Sequence, residues 1–377
     1  MSTNKAPLTS IIEDTQTLWG AGRKSMGCLF CRRIFLVPHS STESVCPICG
    51  RGQLETQPVR MRSAMPELIL PFQIRETQLR SIYDAFVTGV WIKPEDFTTE
   101  ALLTRTRAIY WPLWLVDCDV TGHWQMEAGF DYQVESTKEA YINGQWTSRK
   151  QIEDRIRWEP RLGELTTHVN NIPVPALEEH QNREQMTGGY PYDQAEPFSL
   201  QQLDQTLLEV PDLPPTEAWP MAIPRINKEV GEICAQAAGA GHHRNFAVKA
   251  DYHKLHWTQF LLPIYATHYL DDEGQAQVLI VNGVTGRIQG PRLASPKRGL
   301  RIAGILGAVA GGLFLLALIG FLLIALFPPA GLIAAFLVVL GVGMGIAAIA
   351  LAVWPGNWNR KQAGPRIVSR GQANENH

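Results

Sequence analysis

The sequence predicts a multidomain fold with three parts: a small N-terminal cysteine-bound module, an α+β domain made mainly of antiparallel strands, and a C-terminal two-helix hairpin. Three observations predict it. Two Cys-x-x-Cys motifs lie near the N-terminus, apolar–polar alternation recurs between residues 66 and 296, and residues 302–354 contain no Asp, Glu, Lys, Arg or His. The predicted parts are a tail at 1–25, the cysteine module at 26–62, the α+β domain at 66–296, helices at 302–327 and 332–354, and a second tail at 355–377.

The composition is that of a folded chain. Of 377 residues, 45% are hydrophobic and 19% are charged, which argues against a disordered protein, and the formal net charge of -2 shows no general basicity toward nucleic acid. Residues 1–15 are polar and lack an apolar run after a basic start, so we expect no signal peptide. The cysteines indicate a reducing compartment, because four of the six have metal-type spacing.

The first part contains two cysteine knuckles, Cys28 with Cys31 and Cys46 with Cys49. Four thiolates are the tetrahedral ligand set that a structural Zn²⁺ prefers, and zinc ribbons use it with Zn–S distances of about 2.3 Å. Iron in a rubredoxin-like site is the chemical competitor. A site closed by four thiolates leaves no position for water or substrate, so its predicted role is structural. Gly50 is expected to turn backbone amides toward the sulfurs.

Basic residues surround this predicted zinc ribbon, against only two nearby glutamates. The ribbon is too small to hold a core without its metal, so we expect an interaction module rather than a catalytic one. Its basic surface could meet nucleic acid, anionic lipid headgroups or an acidic partner, or it could simply be solvated. The basic residues are Arg23, Lys24, Arg32, Arg33, Arg51, Arg60 and Arg62.

The first half of the α+β domain opens with a helix and continues as strands. Apolar residues at helical spacing predict a helix over residues 79–90 that ends at Lys93-Pro94. The aromatic run at residues 110–118 predicts a strand, and Pro112 with Gly122 suggests a turn into a second strand over residues 120–126. Asn143-Gly144 predicts a β-hairpin turn.

The second half of the domain begins with a proline-rich connection. Residues 173–224 predict a long link with short helices, followed by a helix that buries Ile226, Val230, Ile233 and Ala237. Cys234, beside that face, is expected to be a buried, inert thiol. Alternation at residues 246–252, a hairpin over residues 261–281 with its turn at 271–274, and a further turn at 282–286 complete the domain.

The C-terminal runs are long enough to cross a membrane. Each exceeds the ~20 residues that span a ~30 Å hydrocarbon core as a helix, and Pro328-Pro329 provides the break between them. Basic residues flank both outer ends and none lies in the turn, which predicts two cytoplasmic ends. Gly307 with Gly311, and Gly341 with Gly345, offer small faces for helix contact. Without an ionisable group, the hairpin is expected to be an anchor rather than a transporter.

Several motifs give the chain a resemblance to a known family. They are Cys28 to Cys49, Pro71-Phe72, YWPLW at residues 110–114, LLPIY at residues 261–265 and VNGVTGRIQG at residues 281–290. Together they resemble bacterial membrane proteins that carry a TFIIB-type zinc ribbon and are often labelled as similar to primosomal protein N′. Some of these proteins are thought to work beside membrane-scaffolding proteins of the envelope-stress type, so the resemblance implies an adaptor.

No catalytic motif accompanies these features. There is no GxxxxGK[ST] phosphate loop for a helicase, and no GxSxG, HExxH or dinucleotide fingerprint. Asp117 and Asp119 share a strand face, but a solvated face or a turn contact explains them better than paired catalysis. The histidine pairs at 242–243 and 253/256 are not expected to bind a metal. Seven tryptophans are expected in the core and in strand pairing rather than in base stacking: Trp91, Trp111, Trp114, Trp124, Trp146, Trp158 and Trp257.

These patterns favour a non-enzymatic adaptor at the cytoplasmic face of the inner membrane. In this hypothesis the hairpin meets lipid and the ribbon recruits a protein partner in envelope stress or membrane organisation. The alternative is a membrane-tethered nucleic-acid-binding protein that uses the basic ribbon, with affinity that falls steeply with salt. A third hypothesis is an enzyme with an unrecognised pocket in the β domain. The oligomeric state cannot be read from the sequence.

Overall fold

The computed structural model describes residues 22–56, 65–142 and 145–362. The chain divides into two compact units. The first comprises Met1–Trp111, Glu179–Val210 and Leu261–His377, as far as these are described, and the second comprises Pro112–Glu178 and Pro211–Phe260.

Eleven strands are described, of which three are long. They are β1 Arg23–Cys28, β2 Ile34–Pro38, β3 Leu54–Thr56, β4 Leu68–Ile69, β5 Arg107–Ile142, β6 Gln145–Pro175, β7 Glu196–Pro197, β8 Leu207–Glu209, β9 His242–Leu270, β10 Ala276–Asn282 and β11 Ile288–Gln289. The α-helices are α1 Glu76–Thr88, α2 Thr99–Arg105, α3 His180–Thr187, α4 Pro215–Ala237, α5 Pro296–Leu322 and α6 Ala330–Lys361. Short 3-10 helices cover Tyr192–Gln194 and Leu200–Leu203.

The first unit is built on a mainly antiparallel sheet. Its strand order is β11-β10-β9-β5-β8-β2-β1-β3, with β4 paired to β7 and β9. The β5–β8 pair is parallel, and the β1–β2, β2–β8, β4–β7 and β9–β10 pairs are antiparallel. Helices α1 and α2 cover one core, in which Phe97 stacks on Tyr269 with ring centroids 4.0 Å apart. The predicted first helix is confirmed, although it ends at Thr88 rather than at Pro94.

The turn that Pro112 and Gly122 suggested is wrong, because β5 is one continuous strand. Pro112 lies inside it, and the register against β6 shifts between Val116 and Cys118, where a β-bulge absorbs the irregularity. Gly122 is also internal. A Cβ there would lie 2.2 Å from the Lys249 carbonyl oxygen, so this glycine marks a close approach of two backbones and not a turn.

The second unit packs helix α4 against the long strands. Ala218, Ala222, Ile226, Val230 and Cys234 recur every four residues and are buried in one cluster with β5 and β6. The helix begins at Pro215, inside residues 173–224, which were predicted as a long link with short helices. Proline is well tolerated in a first helical turn, so Pro215 does not prevent this start. Of the predicted face, Ile233 is only half-buried and Ala237 is exposed.

Hairpin turns are found where glycine signals predicted them. The link between β9 and β10 is closed by the Asp271 amide donating to the Gln275 carbonyl at 3.0 Å. The next turn is held by the side chain of Asn282, which accepts from Val284 N at 2.9 Å. β5 and β6 pair as far as Ile142 and Gln145. Asn143-Gly144, between them, lies outside the described residues.

Helices α5 and α6 are long and apolar enough to cross a membrane. Helix α5 ends at Leu322, five residues before the apolar run does, because Pro328 cannot continue the hydrogen-bond ladder. Small residues seven apart form the seam between the helices: Ala303, Ala310 and Ala317 on α5, and Ala334, Gly341 and Ala348 on α6. Gly307, Gly311 and Gly345 face open space, so of the predicted glycines only Gly341, which packs on Phe314, meets the partner helix.

The base of the hairpin is bound to the first unit by several hydrogen bonds. Ser295 caps α5 by accepting from Arg298 N at 3.0 Å, and its hydroxyl donates to Asp272 at 2.8 Å. The amide of Asn359, near the end of α6, is paired with the backbone of Ala294 at 2.7 Å and 3.0 Å. The helices therefore leave the sheet through a fixed joint.

Candidate metal centre

The four cysteines of the N-terminal module lie together. Their Sγ atoms are all within 4.8 Å of one another, with Cys28 and Cys49 3.7 Å apart and Cys31 and Cys46 3.6 Å apart. A tetrahedral centre with metal–sulfur bonds of about 2.3 Å has sulfur–sulfur edges of about 3.8 Å. The spacing fits that geometry, so the group could hold a metal ion.

Two turns of the same form present the cysteine pairs. In the first, Arg32 N donates to the Cys28 carbonyl at 2.9 Å, and in the second Gly50 N donates to the Cys46 carbonyl at 2.9 Å. Arg32 has φ 60° and Gly50 has φ 64°. Each turn thus places a left-handed residue directly after its second cysteine, which glycine accommodates without strain and arginine does not.

Backbone amides point toward two of the sulfurs. Cys31 N lies 3.4 Å from the Cys28 Sγ, and Gly52 N lies 3.4 Å from the Cys49 Sγ. The sequence pointed to Gly50 for this role, but the donor in the second turn is Gly52. A Cβ on Gly52 would lie 2.2 Å from the Cys28 Sγ, so only glycine fits beneath the cluster. These N–H···S contacts stabilise thiolates.

The four thiols shift one another's pKa values through their sulfur contacts. Sulfur hydrogen bonds from Cys31 lower the pKa of Cys28 to about 7, and those from Cys28 hold the pKa of Cys49 far below its usual range. The same contacts raise the pKa values of Cys31 and Cys46. Because metal ligation requires all four thiolates, a bound dication must displace the protons that remain.

The centre is closed to solvent and separate from the other cysteines. All four side chains are buried. Such a site offers no open coordination position, so it suits a structural ion. Cys118 and Cys234 lie in the core of the second unit, where burial raises the pKa of Cys118 to about 11 and raises that of Cys234. Both are therefore protonated at neutral pH.

The basic surface predicted around the cysteines is smaller than expected. Arg23 donates to the carbonyls of Asp204 and Thr206 at 2.8 Å and 2.9 Å, and Arg33 is buried. Arg32 and Arg51 remain exposed. Lys24 donates to the Ser41 carbonyl at 3.1 Å. Arg60 and Arg62 lie outside the described residues.

A buried ion-pair network holds the module to the rest of the first unit. Arg33 donates to Glu209 at 2.6 Å and also to Glu179. Arg183, which is 0% exposed, binds the same Glu209 carboxylate, with one contact at 2.7 Å. Trp111 covers the Arg183 guanidinium, 5.6 Å from the ring centroid. Two positive and two negative groups therefore neutralise one another in the core. Of these four charged residues, only Arg33 was singled out from the sequence, and it was expected at the surface.

The two aspartate candidates and two of the histidine candidates make separate polar contacts: His242 Nε2 lies 3.0 Å from Asp131 Oδ1, and His253 Nε2 lies 3.3 Å from Thr121 Oγ1. Asp117 accepts from Asn171 N at 2.6 Å, which is the turn contact that the alternative interpretation foresaw. Asp119 accepts from His168 Nδ1 at 2.6 Å and binds Lys254 at 2.8 Å on the exposed surface. Among the described residues, the four cysteines are the one group of three or more side chains placed to hold a metal.

Of the tryptophans predicted for the core, four lie in or against it, Trp158 is partly buried outside the core clusters, and Trp91 is the clear exception. Trp111 and Trp114 are buried, and Trp124 and Trp257 pack on the core of the second unit, as expected. Trp91 is 73% exposed, which contradicts its assignment to the core. The Trp146 side chain lies outside the described part of the chain.

A groove of about 280 Å³ lies beside the cysteine module. Arg107 on its wall pairs with Glu43, and Arg105 pairs with Asp96 at 2.8 Å. Burial, aided by the charge of Arg105, lowers the pKa of His268, so this ring is neutral near pH 7. These two ion pairs and the neutral histidine leave no free cation among the described residues that line the groove.

Comparison with protein-family models, with curated proteins and with solved structures finds no match in any of the three. The chemistry of this centre therefore rests on its donor set and geometry.

Proposed function

We propose that the chain is an adaptor anchored in the bacterial inner membrane, whose cysteine module holds Zn²⁺ and recruits a protein partner. In this proposal the module is a zinc ribbon with a structural ion. The resemblance to membrane proteins with a TFIIB-type ribbon suggests that the partner belongs to envelope-stress or membrane-organising machinery.

The observation that carries the proposal is the rigid path from the cysteine module to the hairpin. Strand β2 pairs with β8, and the Arg33–Glu209 contact locks that pair in the core. At the other end of the same unit, Asp272 and Asn359 hold the base of the hairpin. Such a body can present a surface at a set distance from a membrane, which is what an adaptor requires.

The exposed tip of the module supplies a surface for the partner. Leu29 is 58% exposed and Val45 is 43% exposed, and the Arg51 guanidinium lies 5.9 Å from the Phe30 ring centroid. Apolar groups beside arginine are typical of protein-binding surfaces. The two exposed arginines favour an acidic rim on the partner.

The orientation follows from the flanking charges. Lys297, Arg298 and Arg301 lie at the start of α5, and Arg360 with Lys361 lies at the end of α6. Basic flanks stay on the cytoplasmic side. The proposal therefore has both ends of the chain in the cytoplasm.

Nucleic-acid binding by the module receives less support. Arg23 donates to the backbone carbonyls of Thr206 and Asp204, and Arg33 donates to the buried carboxylate of Glu209. Arg32 and Arg51 alone, of the described basic residues in the predicted patch, are fully exposed. Fewer phosphate contacts give a weaker interaction and a shallower salt dependence.

Affinity purification of the full chain from gently solubilised native membranes tests the proposal. Wild type is compared with Cys46→Ser, which removes a metal ligand, and with Leu29→Asp, which alters only the exposed tip. Leu162→Asp, at an 84% exposed leucine of the second unit, is the matched control. Mass spectrometry identifies the proteins, and metal content is measured on each sample.

We expect one stoichiometric partner with wild type and with Leu162→Asp, and its loss with both other variants, while Leu29→Asp keeps its zinc. No stoichiometric protein with wild type would rule out the adaptor. Recovery of nucleic acid alone, released by salt, would favour the nucleic-acid alternative. Full metal content in Cys46→Ser would overturn the four-thiolate centre.

A further inference from the structure

Trp91 is largely exposed, yet both of its neighbours in the sequence are buried. It lies between α1 and α2 and is 73% exposed, whereas Val90 is 3% exposed and Ile92 is 5% exposed. The loop is thus held firmly while one large apolar ring points outward. Exposure of such a ring to water is unfavourable, so a group that covers the ring is expected.

The loop lies against the two apolar helices. Ile92 packs in one cluster with Ala303 of α5 and with Ala348 and Leu351 of α6. The Ile92 carbonyl accepts from Ser295 N at 2.7 Å. The loop is therefore fixed beside residues that belong to the uncharged runs.

The ring of Trp91 itself meets the end of the second apolar run. Its centroid lies 6.0 Å from that of Trp354, in an edge-to-face contact, and Trp354 stacks on Trp358 at 5.3 Å. Tryptophans gather at the boundary between hydrocarbon and water, where one part of the ring is apolar and the N–H remains hydrated. Three of them lie together where the hairpin leaves the sheet.

Cations surround this aromatic group. Arg298, on the first turn of α5, donates to the Lys93 carbonyl at 3.1 Å and so brings two basic side chains to the loop. Lys297 on the same turn and Arg301 on the next turn are both exposed. Asp272 accepts from Ser295 Oγ at 2.8 Å and from Lys297 N at 2.9 Å, and Glu95 is exposed on the loop, so the basic side chains still outnumber the acidic ones. The remaining positive charge suits anionic headgroups.

We propose that Trp91 and its loop insert into the interface of the lipid bilayer, with Lys93 and Arg298 on anionic headgroups. The loop forms a third membrane contact beside the two helices, and lipid covers the exposed ring. The inference rests on the proposed membrane insertion of the hairpin, because contact with Trp354 sets the depth of Trp91.

Photocrosslinking to lipid tests this contact. A benzophenone amino acid replaces Trp91 in the full chain, which is reconstituted in phosphatidylglycerol–phosphatidylethanolamine vesicles containing a lipid with a fluorescent headgroup. The same replacement at Leu315, 61% exposed on α5, reports insertion of the hairpin, and that at Leu162, 84% exposed on the second unit, reports background.

We expect labelled lipid at positions 91 and 315 and none at 162, with loss of yield at 91 when phosphatidylcholine replaces phosphatidylglycerol. Label at 315 without label at 91 would overturn the inference and leave the anchor intact. Label at neither position would overturn the anchor itself. A protein-sized adduct at 91 in place of lipid would assign the ring to a protein interface and overturn the lipid contact.

Discussion

Arg33 lies two residues after Cys31, and its guanidinium reaches Glu209, which is separated from it by 176 residues in the chain. Arg183 shares that carboxylate inside the core, and Glu179 supplies the second negative charge. Burial raises the pKa of Glu209, and the Arg33 guanidinium opposes that shift. Removing a charge from water is costly, so each member of the network depends on its partners remaining ionised.

Replacing Glu209 with Gln is therefore expected to destabilise the protein by about 3–5 kcal/mol, because two buried guanidinium groups lose their shared counter-charge. The midpoint of urea unfolding, followed by circular dichroism on the detergent-solubilised chain, measures the loss. Glu100→Gln is the matched control, since its pair with Arg80 is exposed at the surface, and it should change the midpoint little. Equal midpoints for the two variants would contradict the importance of the buried network.

The grouping of the four cysteines could be predicted at this scale, whereas the residues that support them could not. Cys28 and Cys31 are close in sequence, and the chemistry of thiolates restricts what such spacing can do. Arg33 looked like a surface cation because no local pattern links it to Glu209. Its true environment is decided by the pairing of β2 with β8, which are far apart in the chain.

Among the secondary-structure elements, the apolar helices were the most predictable and the long strands the least. An uncharged run has one stable state in a bilayer, so length alone indicates a helix. A proline and a glycine inside a strand normally indicate its end. In β5 both are tolerated, because a bulge follows Pro112 and the backbone of β9 passes close to Gly122. Tertiary contacts outweighed the local signal there.

The seam between α5 and α6 gives a prediction for the hairpin. Ala310 is buried in this seam, and a larger side chain would force the helices apart, at a cost of about 1–3 kcal/mol. We expect Ala310→Leu to lower the thermal unfolding midpoint of the purified chain in detergent. The measurement is a temperature series of resistance to proteolysis within residues 296–361.

Ala308→Leu is the control for this variant. Ala308 is exposed on the same helix, so the added atoms would meet detergent rather than α6. It should leave the midpoint unchanged. If both variants behave alike, the alanine seam is not the contact that holds the hairpin together.

For the whole molecule, the joint at the base of the hairpin determines where its two ends lie. The backbone of Ala294, before α5, is hydrogen-bonded to the side chain of Asn359, near the end of α6. In a hairpin that spans a membrane, both of these helix ends would therefore lie on the same side. A reporter fused after residue 377 and another fused before residue 1 should report the same side.

With basic flanks at both ends, that side is expected to be the cytoplasm. A green fluorescent protein at either end should be fluorescent, and alkaline phosphatase at either end should be inactive. A phosphatase activity at one end only would show that the chain crosses the membrane an odd number of times. Activity at both ends would reverse the proposed orientation.

The hydrogen-bonded joint between the hairpin and the sheet also affects how a recruited partner would search for its target. Flexible linkers let a tethered site sample a large volume, which dilutes its effective concentration and randomises its direction. Here Ser295 and Asn359 take the place of such a linker. A bound partner would be confined to a thin layer parallel to the bilayer. It would diffuse in two dimensions with a fixed orientation relative to the bilayer normal. Recruitment would then raise encounter rates with other membrane-bound molecules through lowered dimensionality, without any change in contact affinity.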